Sequence, residues 1–372
     1  MTNFSLGKIF FSALLVAGLS GSASAAAAPA KKRPKNFRLQ WKHARPATEE
    51  VEESTAAANG PRTLMNGRWK PEVRAALDRF IAERGSSAPG YDASKPPVAV
   101  LPWSDALVVG DPAELVFLKL ATDVDFKFED DWWEIIPVGR GRQPARSAYN
   151  SFIALASSTW RMQPDYHRFR KTMLSSYVGL CREVGRKECR QYLMRVWAGW
   201  KEEDAVDYAK AALTAEKERN AGFESVGSEP TDPEPLKVRR GLRLIPEMRD
   251  LVTKLRASGI DVWVVDDVPQ PVLLASAADY GVDRSRVRGV AASPDGTRLS
   301  ASILKPVPTR GGKAEIVKAA VGRPPDLALG RDAADLDVLE YGGGPRIILS
   351  GDPALEAKAR ENGWLIQPPL AR

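Results

Sequence analysis

The sequence predicts an α/β fold, a parallel sheet with helices on both faces, carrying a long helical insertion. Three patterns predict it. Short continuous apolar runs of strand length, such as Pro97–Leu101 and Asp261–Val265, punctuate the chain. After Ile245 such runs alternate with amphipathic stretches, the signature of strand–helix units that build a parallel sheet. Between about Glu114 and Lys237 the apolar spacing is predominantly helical.

The chain begins with Lys8, an apolar run Ile9–Leu19, and small residues ending in Ala23-Ser24-Ala25. A charged start, apolar centre and A-x-A end predict a secretory signal over residues 1–25. The run falls short of the roughly 20 residues a membrane span needs. No Cys stands at the cleavage point for a lipid anchor. The expected product is exported, periplasmic or secreted, with no transmembrane anchor in the mature chain. Losing residues 1–25 lowers the formal charge from +7 to +6. With the one dense basic stretch, Lys31–Arg45, read as a solvated tether, no nucleic-acid partner is expected. Residues 26–62, rich in Ala, Pro, Glu and Lys without periodicity, read as a disordered linker.

Order is expected from near Trp69. Pro71–Arg84 places Val73, Ala76, Leu77, Phe80 and Ile81 at helical spacing and stops at Gly85. Pro97–Leu101 is a buried strand. Tyr166–Val184, Arg190–Trp200 and Glu203–Asn220 are the clearest helices of the insertion. Trp132, Trp133, Trp160, Trp197 and Trp200 within it fit either a substrate pocket or the core, and at helical spacing the core is the preferred reading. Ser225–Glu234 is a loop. Then follow a helix Ile245–Ser258, a strand Asp261–Val265, a helix Pro271–Asp279 and a hairpin over Val287–Ile303 around Ser293–Gly296. A helix Gly312–Val321, strands Leu327–Gly330, Ile347–Ser350 and Trp364–Ile366, and a helix Pro353–Asn362 complete the chain. The domain reading is a signal at 1–25, a linker at 26–62, an α/β core of 63–113 and 238–372, and a helical cap of 114–237.

Two cysteines occur, Cys181 and Cys189. One unbroken helix would hold their Cα atoms about 12 Å apart, too far to bridge. Gly185 between them permits a break. A disulfide and two buried thiols both fit. The two His residues, His43 and His167, do not make a zinc site.

Four segments carry chemistry: Lys95–Asp111 (KPPVAVLPWSDALVVGD), the stretch GIDVWVVDDVPQPVLLASAADYG from Gly259, Lys313 behind Gly311-Gly312, and Gly330–Asp335 (GRDAAD). In order and spacing they resemble the motifs of the haloacid-dehalogenase-like hydrolases, phosphoserine-phosphatase-like branch, across residues 63–368. The resemblance implies a Rossmann-like core with an inserted helical cap, phosphomonoester hydrolysis, and Mg²⁺.

The resemblance also exposes departures. The first motif, hhhhDxDxT in the family, places Pro102 at the nucleophile and Ser104 at the second acid, with Ala106 in the Thr slot. Pro102 has no nucleophile, and covalent catalysis needs one. Ser104 is a poor proton shuttle near neutral pH. Asp105 is a substitute nucleophile only if a turn re-aims it; otherwise it is a turn or cap residue. The Ser/Thr slot that would donate to phosphate holds Asp266, followed by Asp267. A carboxylate about 4 Å from a phosphate repels it by about 4 kcal/mol at an effective dielectric of 20. Both acids also read as an N-cap pair ahead of Pro269. Lys313 matches the phosphate-binding Lys of the third motif. In the fourth motif, Asp335 matches a metal-site acid, Arg331 replaces the first metal ligand, and Asp332 is a weak oxygen donor. Arg331 is expected to pair with Asp335 or Asp266.

These departures lead to one expectation, an exported pseudo-phosphatase with a binding or scaffold role, its pocket closed by an Arg/Lys–Asp network, and no cofactor. The alternative is an active hydrolase using Asp105 or Asp111, with Mg²⁺. In a third reading Arg331 and Lys313 hold a phosphorylated or other anionic small molecule without cleaving it.

Overall fold

The computed structural model describes residues 63–129 and 131–370. The expected signal and linker lie outside them. Six strands form the central sheet: β1 (Val98–Leu101), β2 (Asp261–Pro269), β3 (Val287–Val290), β4 (Leu327–Gly330), β5 (Arg346–Leu349) and β6 (Leu365–Gln367). All neighbours pair parallel, in the order β6-β5-β4-β1-β2-β3. The chain builds outward from β1 on one side, then crosses back to β4 and builds on the other. The crevice at the carboxyl ends of β1 and β4 is therefore a topological switch point, where open α/β sheets place their ligands.

Strand periodicity sorts the core into two layers. Val98, Val100, Trp263, Val265 and Ala328 point to one face, and Ala99, Leu101, Val262, Val264 and Leu329 to the other. The α-helices longer than one turn among the described residues are α1 (Pro71–Arg84), α2 (Pro112–Asp123), α3 (Arg142–Phe152), α4 (Pro164–Val184), α5 (Arg186–Arg195), α6 (Glu202–Glu218), α7 (Pro246–Ala257), α8 (Gln270–Ala277), α9 (Gly311–Val321), α10 (Leu336–Tyr341) and α11 (Pro353–Glu361). Helices α9, α10 and α11 cover the first face through Ala314, Val317, Val338, Leu339 and Ala359. Helices α1 and α7 and the insertion cover the second. No helix among the described residues is long and apolar enough to cross a membrane.

The α/β class and the parallel sheet are as the sequence predicts, and several boundaries move. Val287–Val290 is the edge strand of the sheet, so the expected hairpin shrinks to Ala292–Asp295 with Arg298–Ile303. The predicted loop Ser225–Glu234 starts inside a second hairpin, Gly222–Val226 with Leu236–Arg240. The 237/238 domain boundary cuts that hairpin. The 113/114 boundary cuts α2, which Asp111 caps by accepting from the N–H groups of Ala113 and Glu114. The five insertion tryptophans are all buried, as a core reading expects.

Cys181 and Cys189 are disulfide-bonded, with Cα atoms 4.9 Å apart. Gly185, at φ 87°, ends α4 and starts α5, folding one helix back beside the other. Closing so short a loop is expected to contribute about 2–3 kcal/mol. Replacing both cysteines with Ser should lower the unfolding free energy by that amount in urea titrations. No difference between oxidised parent and double variant would contradict it.

Candidate active site

All four motif segments meet at the switch point. The chain leaves β1 through Pro102 and Trp103, both buried. The Trp103 backbone N–H donates to Asp266 Oδ2 at 2.9 Å, and its indole N–H donates to Ser276 Oγ at 2.8 Å. Tyr280 packs edge-on against the same indole. Pro102 is thus held at the place the resemblance gives to the nucleophile.

Asp266 and Asp267 lie inside β2, where the register against β3 shifts between Val265 and Pro269. Pro269, not either acid, is the cap position of α8 and no side chain caps it. The N-cap reading of the two acids is therefore overturned: the strand simply continues, and the irregular stretch turns both fully buried carboxylates toward the switch point.

Lys313 is also fully buried. Gly312 makes its placement possible, because a Cβ there would stand 1.9 Å from the Val307 carbonyl oxygen. The Lys313 ammonium donates to Asp335 Oδ1 and lies 3.7 Å from Asp266 Oδ2. The second Asp335 oxygen accepts from the backbone N–H groups of Arg331, at 2.8 Å, and Asp332, at 3.3 Å. Burial works against the charged ammonium, but Asp335, Asp266 and Asp267 outweigh it and hold the Lys313 pKa above its usual value.

The sequence expects Arg331 to pair with Asp335 or Asp266, but its side chain reaches neither. Its guanidinium lies against Asp332, at 2.9 Å, and donates to the Ser104 carbonyl oxygen. Only its backbone N–H reaches Asp335. Ser104 is buried and its hydroxyl makes no hydrogen bond, as does Asp266 Oδ1. Asp105 turns away. At φ 52° its carboxylate accepts from the Gly110 N–H at 3.0 Å, and Arg239 lies 3.6 Å away.

Two residues absent from the sequence reading complete the site. Arg186 and Arg190, one turn apart on α5, reach into the switch point from the insertion. Arg186 makes a two-pronged contact with Asp267 and lies 3.5 Å from Asp332. Arg190, buried, pairs with Asp111 and lies 3.6 Å from Asp267. Their signal in the sequence was two Arg residues at helical spacing directly after Gly185 and flanking Cys189.

The segments after β1, within β2, at the start of α9 and after β4 thus converge in the spatial order the motif resemblance implies. The fold is an open α/β sheet of six parallel strands whose motif segments meet at the switch point. Among solved structures, the chain is similar to a conserved protein of unknown function from Anaerococcus prevotii DSM 20548, at 19% identity and a TM-score of 0.71. The match covers 82% of this chain and 94% of that one. It is more distantly similar to a protein of unknown function from Bordetella pertussis Tohama I, at 14% identity and TM-score 0.43, covering 73% and 97%. A phosphoserine phosphohydrolase-like protein from Francisella tularensis subsp. tularensis SCHU S4 follows at 11% identity and TM-score 0.37, covering 74% and 96%. The first likeness is one of fold, and the other two are too weak to carry an argument about chemistry. No family model matches the chain, and neither does any curated protein.

The Mg²⁺ that the motif resemblance implies does not fit these residues. A hexacoordinate cation needs several free oxygens. Here the Asp335 carboxylate is fully engaged, and a fixed ammonium lies between it and Asp266. The buried side-chain oxygens of the site that make no hydrogen bond are Asp266 Oδ1 and the Ser104 hydroxyl. Among the described residues no cluster of three acids, His or Cys is arranged for a metal.

Asp267 links the site to pH. Burial favours its neutral form, but Arg190 and the hydrogen bonds from Arg186 outweigh that and hold its pKa far below the ordinary range. A depressed carboxylate contributes stability above its unfolded value, about 3.9, and loses it as pH falls toward the folded one. Asp267→Asn should be about 3 kcal/mol less stable near pH 7, because it removes the buried charge that Arg190, itself buried, and the more exposed Arg186 both face. Below about pH 4 the gap to the parent should narrow. Urea titrations at both pH values check this; a constant gap would contradict it.

Proposed function

We propose that this chain is an exported, catalytically impaired member of the haloacid-dehalogenase-like fold, acting as a binding or scaffold protein. The observation that carries this reading is buried Pro102 at the end of β1, with the next residue's N–H, that of Trp103, held by Asp266. Acyl-phosphate chemistry needs a carboxylate at the end of β1, and a proline ring offers none. Asp105 and Asp111, the two candidate replacements, are occupied elsewhere: Asp105 stabilises its own turn, and Asp111 caps α2 and pairs with Arg190.

The charges also argue against an anion held at the switch point. Lys313, Arg331, Arg186 and Arg190 each already face a carboxylate. A phosphate entering there would have to displace one of these pairs and would meet Asp266 and Asp267. A binding role is better carried by the outer surface, which the closed interior keeps rigid. Export is supported by the charged-apolar-small pattern of residues 1–25 and by the disulfide, a bond that persists in oxidising compartments.

The test is hydrolysis of p-nitrophenyl phosphate by the purified chain with and without Mg²⁺. No turnover above buffer is expected in either condition. Pro102→Asp alone should not create activity, because Ser104 still stands at the second acid and Arg331 at the first metal ligand. Mg²⁺-dependent turnover abolished by Asp105→Asn would overturn the reading in favour of an active hydrolase.

A further inference from the structure

A cavity of about 650 Å³ opens at the other end of the sheet, where β1, β2 and β3 begin. Four cationic side chains line it: Lys95 ahead of β1, Arg286 and Arg288 at the start of β3, and Arg323 after α9. The lining contains one acid, Asp261. That carboxylate is already shared between Arg286 Nε, at 2.7 Å, and the Trp263 indole N–H, at 2.9 Å. Arg323 is paired with Asp326 at 2.6 Å. Lys95 and Arg288 make no ion pair among the described residues, and Arg288 donates only to the backbone carbonyls of Ser285 and Val287.

Trp263 organises this surplus. Its indole, fixed by the bond to Asp261, carries both guanidiniums, with Arg286 Cζ 5.0 Å and Arg288 Cζ 5.1 Å from the ring centroid. Ring attraction offsets part of the repulsion between two like charges but does not neutralise either. Partial burial and the neighbouring Arg286 accordingly pull the Arg288 pKa below its usual value. Two guanidinium forks and a mobile ammonium suit a compact dianion with several acceptor oxygens better than a single carboxylate.

We propose that the cavity lined by Lys95, Trp263, Arg286 and Arg288 binds the phosphate group of a small anionic molecule. The site is separate from the switch point, and its chemistry is independent of whether the chain retains catalysis.

The experiment is isothermal titration calorimetry of the parent, Arg288→Gln and Lys95→Gln with inorganic pyrophosphate, and of the parent with succinate as a small dicarboxylate. Pyrophosphate should bind the parent saturably and bind Arg288→Gln at least about tenfold more weakly, as expected for losing a charged hydrogen-bond donor. Lys95→Gln, an exposed change that leaves the core untouched, should weaken binding by about two- to fivefold. No saturable heat with the parent would overturn the proposal, as would unchanged affinity in both variants. Succinate binding as tightly as pyrophosphate would overturn the assignment to phosphate.

Discussion

A fully buried ammonium is tolerable only where opposite charge has been placed around it beforehand. Moving a charge of that size out of water has an effective cost of several kcal/mol, and close carboxylates must offset it. Lys313 meets this condition through Asp335 and Asp266. The rest of the switch point follows from it. Asp335 is held by two backbone N–H groups of the loop after β4, and Asp266 by the backbone N–H of Trp103 after β1. One side chain thereby ties the ends of three neighbouring strands to the start of α9. A tethered ammonium can satisfy such carboxylates permanently.

The second layer of pairs comes from the insertion and extends the same logic. Asp111, Asp266, Asp267, Asp332 and Asp335 face Lys313, Arg186, Arg190 and Arg331, five acids against four bases. Burial shifts the Asp266 pKa upward, toward the neutral form, in the direction that evens the count. The elbow at Gly185, closed by the disulfide, sets the first turn of α5 over the sheet. Arg186 and Arg190 thus enter from outside the α/β core and fasten the insertion to it. A pocket that must admit and release a substrate needs a cap that can part from the core. Arg190, both buried and doubly engaged, opposes that parting.

Much of the fold was legible because apolar spacing reports directly on burial. The strands β1, β4, β5 and β6 and the helices α1, α7, α9 and α11 were predicted to within one or two residues. The misses have physical causes. Asp266 and Asp267 look like the end of a strand because charge is rare in a sheet interior, yet here it is paired from another domain segment. Val287–Val290 reads as half of a hairpin because local spacing cannot reveal a parallel partner far away in sequence. At the site, sequence could place Lys313, Asp335, Arg331 and Pro102 in register with known motifs. It could not supply the partners of Arg331, whose guanidinium turns to Asp332 and to a backbone oxygen. Nor could it supply Arg186 and Arg190, since nothing local shows which face of α5 meets the sheet.

The central claim is that the Lys313 ammonium holds the position between Asp266 and Asp335 against a divalent cation. The most direct measurement is a high-resolution crystal structure from crystals grown with Mg²⁺ and beryllium fluoride. The account predicts Lys313 Nζ in contact with Asp335, with no metal ion between the two carboxylates and no fluoride adduct on any nearby oxygen. A Mg²⁺ ion coordinated by Asp335 or Asp266, with Lys313 moved aside, would contradict it.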